Sequence, residues 1–389
     1  MGTTANTFRI YNVKLVKEEA VIDNGELRVE DGIIVYAGPK LPTLPLHFEL
    51  SIDGEGRWLL PGFVDVHVHG GAGADFMDAT PAAFRAIMRF HACRGTTAML
   101  ATTITAPKAR LEAVLHTASR YKPMGGARLL GIHLEGPFIS PKHPGAQNPA
   151  HIVPPRPDWL REWLARFPGL LRIVTLAPET EGALELIRLL CSHSVIAAAG
   201  HTDAAYEQML AAADAGLTHA VHTYNAMRGL HHREPGAVGA VLTDQRISAE
   251  LITDGRHVHE AALRLALQAK GTAKTLLVSD AMAAAGMPDG RYELGGLGVT
   301  VKAGTARLTE SGALAGSTIT LLDAYRFAVG QLGVSPVDAC RMACLNPARL
   351  LGMDGICGSL AEGKQADAIL LGEDGEPRQV WISGEPLLT

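Results

Sequence analysis

The 389-residue sequence predicts an α/β fold, a (β/α)₈ barrel of the TIM type with a small β-sandwich domain built from both chain termini. Eight short, apolar, β-rich runs follow one another along the middle of the chain, and amphipathic helical stretches separate most of them. Both ends of the chain instead carry β patterns punctuated by glycine-rich turns. Alternation of strand and helix is typical of a parallel sheet, and eight such repeats close a barrel.

The eight predicted strands cover residues 63–69, 96–103, 128–135, 170–177, 194–201, 218–224, 247–254 and 274–281. Helical periodicity is clearest over residues 81–95, 181–193 and 203–216. We therefore expect the barrel over residues 58–354, with a β-hairpin inserted near residues 286–315. Residues 1–57 and 355–389 are expected to form the β-sandwich domain together, and Asp31-Gly32 has the composition of a hairpin turn.

Composition excludes several classes of protein. With 47% hydrophobic and 19% charged residues the chain can bury a large core, which argues against disorder. A formal net charge of −5 provides no basic surface, so no nucleic-acid partner is expected. The five cysteines include no C-x-x-C pair, and neither a signal peptide nor a membrane-spanning run is recognisable. We expect a cytoplasmic protein with no membrane partner.

The C-terminal ends of the predicted strands are rich in potential metal ligands, and barrel enzymes place their chemistry at this end. In strand order these residues are His67, His69, Glu135, His201, His222 and Asp280. Residues two apart in a strand share a face, so the first two imidazoles can point into the barrel mouth together. Imidazoles and carboxylates suit zinc, with iron, manganese or cobalt as alternatives. We expect one or two divalent ions per subunit.

Such a centre indicates hydrolysis. Two neighbouring ions can share a hydroxide by lowering the pKa of water from ~16 toward ~7. In this interpretation Glu135 bridges the ions, and His201 and His222 complete the second ion's site. Asp280 is the predicted catalytic residue, a general base that later returns the proton to a leaving amine.

Taken singly, His201, His222, Glu135 and Asp280 are each compatible with a capping or buried polar side chain, and an isolated H-x-H occurs often by chance in a chain with 16 histidines. His133 and His219 are better explained as core histidines with satisfied hydrogen bonds. What favours a site is that the other candidates end different predicted strands.

Several sequence strings resemble known enzymes. PGFVDVHVHG is similar to the first-strand signature of the amidohydrolase superfamily, and GSLAEGKQADAILL resembles its C-terminal β motif. LEGPF, AGHTDA, HTYNAM, REPG, DGRHV, SDAM and LAGST resemble the N-acetylglucosamine-6-phosphate deacetylase family, in order between about residues 58 and 371. The resemblance implies hydrolysis of an acetamide, with Asp280 as the acid and base. The presence of His67 and His69 implies the branch of the family that binds two metals.

The resemblance also implies a site for a small amino-sugar phosphate. His257 and Arg233 are expected to bind the phosphate, and Asn225 and Ala226 to lie near it. Arginine suits this role because its planar fork donates two hydrogen bonds in fixed geometry. In the family this arginine comes from the neighbouring subunit, which implies a homodimer.

One loop departs from the family pattern. Where the family usually reads G-x-H-x-P, this chain has Gln147 in the histidine position. Glutamine can donate a hydrogen bond to the substrate but cannot carry a proton charge. The epimer is therefore open, with N-acetylgalactosamine 6-phosphate as the alternative to N-acetylglucosamine 6-phosphate.

Two further interpretations remain at this stage. The first is an amidohydrolase acting on a different amide, such as an N-acyl amino acid or a cyclic imide. The second is a barrel without catalytic activity that serves as a binding or regulatory subunit. The complete set of potential ligands, together with Asp280, favours an enzyme.

Overall fold

A closed parallel barrel forms the body of the protein in the computed structural model, which describes residues 7–42 and 50–387. Each barrel strand pairs in parallel with the next one along the chain. At the rim, Asp280 N donates to His67 O over 2.9 Å and His69 N donates to Ala281 O over 2.9 Å, which joins the eighth strand to the first. The strands are Phe63–Asp65, Thr96–Thr103, Arg128–Glu135, Leu171–Leu176, Ile196–Ala199, His219–Ala220, Ser248–Leu251 and Thr275–Leu277. The predicted fold class is confirmed.

Helices cover the outside of the barrel, and the first shows why they form where they do. Pro81 occupies its first turn, and the Oγ1 of Thr80 accepts a hydrogen bond from Ala83 N over 3.2 Å. Its buried residues recur at helical spacing and face the strands. The α-helices are Pro81–Ala92, Lys108–Arg120, Pro157–Arg166, Ala183–Ser192, Tyr206–Asp214, Gly236–Thr243, Glu260–Lys270, Leu321–Gly330, Pro336–Cys340 and Asn346–Leu350. A π-helical turn spans Arg341–Leu345, and 3₁₀ turns span Phe76–Asp78, Pro149–His151 and Thr272–Lys274.

The two ends of the chain meet in a separate sheet of eight strands with its own core. Ala368–Leu371 pairs antiparallel with Trp58–Pro61, the strand that leads into the barrel. Phe8 stacks on Trp381 with ring centroids 5.7 Å apart, which links the two ends of the chain through that core. The remaining strands are Phe8–Val16, Val21–Glu30, Ile33–Pro39, Leu50–Asp53, Pro377–Ile382 and Glu385–Pro386. Both termini thus contribute to one sheet beside the barrel.

An antiparallel sheet follows the eighth barrel strand in the region where a hairpin insertion is predicted. It has three strands, Gly290–Leu294, Leu297–Lys302 and Thr305–Leu308. A two-stranded pair, Gly70–Gly71 with Ala74–Asp75, lies directly after the first barrel strand. Across the described residues, no helix combines the length and apolarity that crossing a membrane requires.

Candidate metal centre and active site

The predicted metal ligands meet at the barrel rim, with Glu135 at their centre. Its Oε1 lies 2.9 Å from His222 Nε2, 3.3 Å from His201 Nε2 and 3.2 Å from His67 Nε2. The Nε2 atoms of His201 and His222 are 3.2 Å apart. Four side chains from the first, third, fifth and sixth strands therefore converge within hydrogen-bonding distance.

The remaining two predicted ligands lie on the other side of the same carboxylate. His69 Nε2 is 3.3 Å from Glu135 Oε2 and 3.3 Å from Asp280 Oδ1. His67 Nε2 is 3.7 Å from Asp280 Oδ1. Two sets of three potential ligands have all their donor atoms within 4.8 Å of one another: His67, His69 and Asp280 form one, and His67, Glu135 and His222 form the other. All six side chains belong to one cluster.

The donor spacing fits a divalent ion. Ligands bonded at ~2.0–2.1 Å to a tetrahedral ion lie roughly 3.3–3.4 Å from one another. The triangle formed by Glu135, His201 and His222 has edges of 2.9, 3.3 and 3.2 Å. Moreover, the Nε2 of His67 is buried and has no hydrogen-bond partner among the described residues, although it faces the carboxylate. A buried imidazole nitrogen that faces other potential ligands and has no hydrogen-bond partner fits the role of a metal ligand.

Strained backbone turns three of these side chains into the site. His201, His222 and Asp280 have φ values of 47°, 26° and 47°, a left-handed conformation that costs a non-glycine residue ~1–3 kcal/mol. Backbone hydrogen bonds hold it, including Ser140 N to His201 O at 2.8 Å. Each strand thus ends abruptly and directs its last polar side chain toward the barrel axis.

The electrostatics of the cluster favour ionised carboxylates. Burial opposes the charge on Glu135, but the surrounding imidazoles outweigh it and hold the pKa of this carboxyl well below its ordinary value. Burial likewise opposes the charge on Asp280, yet His67 and His69 lower the pKa of that carboxyl. In return Asp280 and Glu135 overcome the effect of burial on His69 and raise its pKa to about 9. Asp280 is therefore ionised at neutral pH and able to accept a proton.

The outer nitrogens of two ligand rings are occupied, which leaves the inner nitrogens for the site. His201 Nδ1 donates to the backbone oxygen of His143 over 3.0 Å. His67 Nδ1 lies 2.8 Å from Glu250 Oε2. Glu250 is fully buried on the seventh strand, and sequence reasoning missed it. A signal was present, because Glu250 stands in the middle of the run ISAELITD, whose other charged residue, Asp254, lies at its end.

The two histidines expected to be core residues lie behind the ligands. His133 Nδ1 is 3.0 Å from Val66 O, and its Nε2 is 2.7 Å from Thr175 Oγ1. Both ring nitrogens of His219 also have partners, Ser248 and Glu250. Neither histidine has a nitrogen left for a metal ion.

A cavity of about 260 Å³ opens above the cluster. Gln147, Asn225, Ala226 and His257 line it together with five of the predicted metal ligands, namely His69, Glu135, His201, His222 and Asp280. Part of its wall is apolar and is formed by Ile104, Leu294 and Leu314. The cavity therefore offers both polar and apolar contacts to a small ligand placed over the metal ligands.

Gln147 is held in one orientation. Its Oε1 accepts a hydrogen bond from Thr105 N over 2.6 Å, so its amide nitrogen points the other way and donates to Glu135 Oε2 over 2.6 Å. The backbone N–H can only donate, which settles which end of the amide carries the oxygen. Gln147 thus presents a hydrogen-bond donor, and not an acceptor, to the centre of the site.

His257 and Arg233 differ in where they lie. Asp254 Oδ2 is 2.7 Å from His257 Nδ1, and although burial opposes the charge on Asp254, this contact helps to lower the pKa of its carboxyl. Arg233 is exposed on a loop, donates to His232 Nε2 over 2.7 Å, and does not line the cavity of its own chain. Ten of the eleven predicted site residues therefore belong to the metal cluster or the cavity wall, and Arg233 stands apart.

Comparison with known proteins places this site in a family. A profile described as the amidohydrolase family matches residues 58–387. The N-acetylgalactosamine-6-phosphate deacetylase of Escherichia coli O157:H7 is 42% identical over 374 residues, which cover 96% of this chain and 97% of that protein. The N-acetylglucosamine-6-phosphate deacetylase of Bacillus subtilis (strain 168) is 41% identical over 377 residues, covering 96% and 95%.

A solved structure agrees. A mutant N-acetyl-D-glucosamine-6-phosphate deacetylase from Mycobacterium smegmatis, in complex with N-acetyl-D-glucosamine-6-phosphate, superposes with a TM-score of 0.92 at 36% identity. The match covers 98% of this chain and all of that one. The resemblance read from the sequence is confirmed: this chain belongs to the amidohydrolase family, divalent-metal enzymes that hydrolyse amide bonds, and lies among its N-acetylglucosamine- and N-acetylgalactosamine-6-phosphate deacetylases.

Proposed function

We propose that this chain hydrolyses the acetamide of N-acetylglucosamine 6-phosphate to glucosamine 6-phosphate and acetate. One observation carries the proposal: four imidazoles and two carboxylates meet beneath a small cavity, in a chain about two-fifths identical to deacetylases of this kind. We assign His67, His69, Glu135, His201, His222 and Asp280 as ligands of one or two divalent ions. Zinc is our first choice, with iron, manganese or cobalt accepting the same ligands.

A divalent ion bound here would supply Lewis acidity, both to activate water and to polarise the acetyl carbonyl. Asp280 would take the proton from the attacking water onto its carboxylate, since its lowered pKa keeps it ionised. It would then pass that proton to the amide nitrogen as the C–N bond breaks, so that the sugar leaves as a neutral amine. Gln147 adds one fixed N–H donor directed at Glu135.

The cavity wall suits the two ends of the substrate. Asn225, Ala226 and His257 follow the sixth and seventh strands, and we assign this side to the phosphate and the sugar. Ile104 follows the second strand, which lies across the barrel from the sixth, and both Ile104 and Leu294 line the cavity wall. This apolar side suits the acetyl methyl group.

The 4-epimer, N-acetylgalactosamine 6-phosphate, is a second candidate with its own support. One of the most similar relatives carries that activity in its name. In addition, Gln147 replaces the histidine that the resembling family usually has at this position. The amide orientation described above offers a neutral donor in place of a titratable ring.

A panel of substrates tests the proposal. We expect acetate release from N-acetylglucosamine 6-phosphate at least ~10²-fold faster than from N-acetylglucosamine without phosphate, because a bidentate arginine–phosphate contact is lost. The rate of acetate release from N-acetylgalactosamine 6-phosphate is measured in the same panel, and the epimer that is hydrolysed faster is the preferred substrate. Equal rates with and without phosphate would favour an amidohydrolase for another amide. Elemental analysis of the protein as isolated identifies the metal, and a preparation that is fully active without metal would overturn the mechanism.

We also propose a homodimer in which Arg233 completes the partner's site. The support is its position, because the loop is exposed and the side chain lies outside the cavity of its own chain. Arg233→Ala and Asp280→Asn proteins should each be nearly inactive on N-acetylglucosamine 6-phosphate. Mixed and allowed to exchange subunits, they should regain about a quarter of wild-type activity, since each mixed dimer keeps one intact site. No recovery despite exchange would show that each chain completes its own site.

We place the enzyme in the cytoplasm. All five cysteines are free, including the exposed Cys191, which supports a reducing compartment. Secretion to an oxidising compartment would contradict this assignment, and fractionation of the source cells measures it directly.

A further inference from the structure

We propose that Glu250 is a positioning residue that orients two of the metal ligands from behind. It lies on the seventh strand, fully buried, and reaches the first and sixth strands at once. Its Oε2 is 2.8 Å from His67 Nδ1 and accepts a hydrogen bond from His222 N over 3.1 Å. One carboxylate oxygen thus connects two ligands that come from different sides of the cluster.

The contact with His67 decides which ring nitrogen faces the metal site. A carboxylate oxygen only accepts, so His67 Nδ1 carries the hydrogen and its Nε2 keeps a lone pair. That Nε2 is buried, has no hydrogen-bond partner in the described part of the chain, and lies 3.2 Å from Glu135 Oε1. The negative charge behind the ring also makes it a stronger ligand.

The contact with His222 acts through the backbone. His222 has a φ of 26°, so its conformation is strained and needs support from its surroundings. The hydrogen bond from its N–H to Glu250 supplies such support at the residue whose ring contacts Glu135. Without it, the sixth strand could relax and move that ring away from the shared carboxylate.

The second oxygen of Glu250 is held by His219. The Nε2 of His219 is 2.8 Å from Glu250 Oε1, and its Nδ1 is 2.7 Å from Ser248 Oγ. Ser248 Oγ in turn donates to Thr218 O over 3.1 Å. His219 therefore has a structural task beyond filling the core, because it keeps the carboxylate facing the two ligands.

Glu250→Gln tests the proposal with little change of shape. The amide oxygen of glutamine can still accept from His67 and His222, while the negative charge is lost and an NH₂ group replaces the oxygen next to His219. We expect the dissociation constant for Co²⁺ of the metal-free protein, measured by competition with a chromophoric chelator, to rise about 10–100-fold. The deacetylation KM should change much less than kcat, since Glu250 does not line the cavity.

Glu26→Gln is the matched control. Glu26 is also fully buried and accepts hydrogen bonds from Arg28 Nε over 2.9 Å and from Leu41 N over 3.1 Å, but it lies in the terminal sheet. Its substitution should leave Co²⁺ affinity within about threefold of wild type, because it contacts none of the ligands. A folded Glu250→Gln protein with wild-type Co²⁺ affinity would overturn the proposal.

A second pair of variants carries the test if Glu250→Gln does not fold without metal. In His219→Gln the side-chain amide can still donate to Glu250, so Co²⁺ affinity should stay within about threefold of wild type. In His219→Leu that donor is lost, and affinity should fall by about tenfold or more. Equal affinities in the two variants would refute a positioning role.

The inference rests on the metal centre of the proposed function but not on its substrate. Co²⁺ binding is measured without any sugar, so a failed deacetylation assay would leave this test intact. Conversely, unchanged Co²⁺ affinity in the variants would not count against deacetylation.

Discussion

Asp280→Asn removes the proposed proton acceptor while keeping a side-chain oxygen at the position of this assigned metal ligand. Asparagine matches aspartate in shape and tolerates the left-handed backbone that this position requires, with a φ of 47°. The backbone bonds Asp280 N to His67 O, at 2.9 Å, and Ser317 N to Asp280 O, at 2.7 Å, do not involve the side chain. The fold and the opposite ligands should therefore survive, while the general base is removed.

The size of the effect follows from that single loss. A positioned general acid or base contributes ~10²–10⁴-fold to a rate, which equals about 3–5 kcal/mol of transition-state stabilisation. We expect kcat for deacetylation of N-acetylglucosamine 6-phosphate to fall within this range. Glu135, His201 and His222 remain, so elemental analysis should still find at least about one ion per chain.

Asp31→Asn is the control for this experiment. Asp31 also has a left-handed backbone, with a φ of 49°, but it lies at an exposed turn of the terminal sheet. The same chemical change there should leave kcat, metal content and the free energy of unfolding unaltered. An Asp280→Asn enzyme that retains its metal and works within about tenfold of wild type would refute the assigned role.

Three further predictions concern stability. Burial lowers the pKa of His91 to about 4. Between pH 6.5 and 4 the unfolded chain therefore binds a proton on this residue that the folded chain does not bind. The free energy of unfolding should decrease by about 3 kcal/mol over this pH range because of His91. Urea unfolding should show a smaller loss in His91→Gln, and equal pH profiles would contradict the prediction. Zn²⁺ at a hundred times its dissociation constant should raise the free energy of unfolding of metal-free protein by about 2.7 kcal/mol. An unfolding temperature that calorimetry finds unchanged by Zn²⁺ would argue against a bound ion. In Gly200→Ala the new Cβ would lie 2.2 Å from Val221 Cγ2. We expect the free energy of unfolding to fall by about 1–3 kcal/mol, and the adjacent His201 to bind metal more weakly. Unchanged unfolding free energy and unchanged metal affinity would contradict this packing.

The barrel was predictable because its signals are local. Each apolar run contains a strand of the barrel, and the six predicted metal ligands lie at the end of such a strand or a few residues beyond it. The sixth strand shows the limit of this reasoning, since the predicted run covers residues 218–224 and the strand is only His219–Ala220. Positive φ values of 26° at His222 and 80° at Tyr224 end the extended backbone early. Such strain depends on tertiary contacts, which hydrophobic periodicity does not report.

Two features of the site lay beyond the sequence for different reasons. The contact between Glu250 and His67 joins residues 183 positions apart, and only the closed barrel brings them together. The proposed role of Arg233 in a neighbouring site depends on contacts with a second chain, which no pattern within one chain reports. Gln147 was predictable only in part. The sequence shows that it departs from the family motif, but it does not show the hydrogen bond from Gln147 to Glu135.

X-ray diffraction at the absorption edge of the bound metal tests the central claim most directly. On crystals of the protein as isolated, we predict an anomalous peak ~2.0–2.2 Å from the Nε2 atoms of His201 and His222 and from a carboxylate oxygen of Glu135. A catalytically active crystal form with no peak within bonding distance of these three side chains would contradict the account.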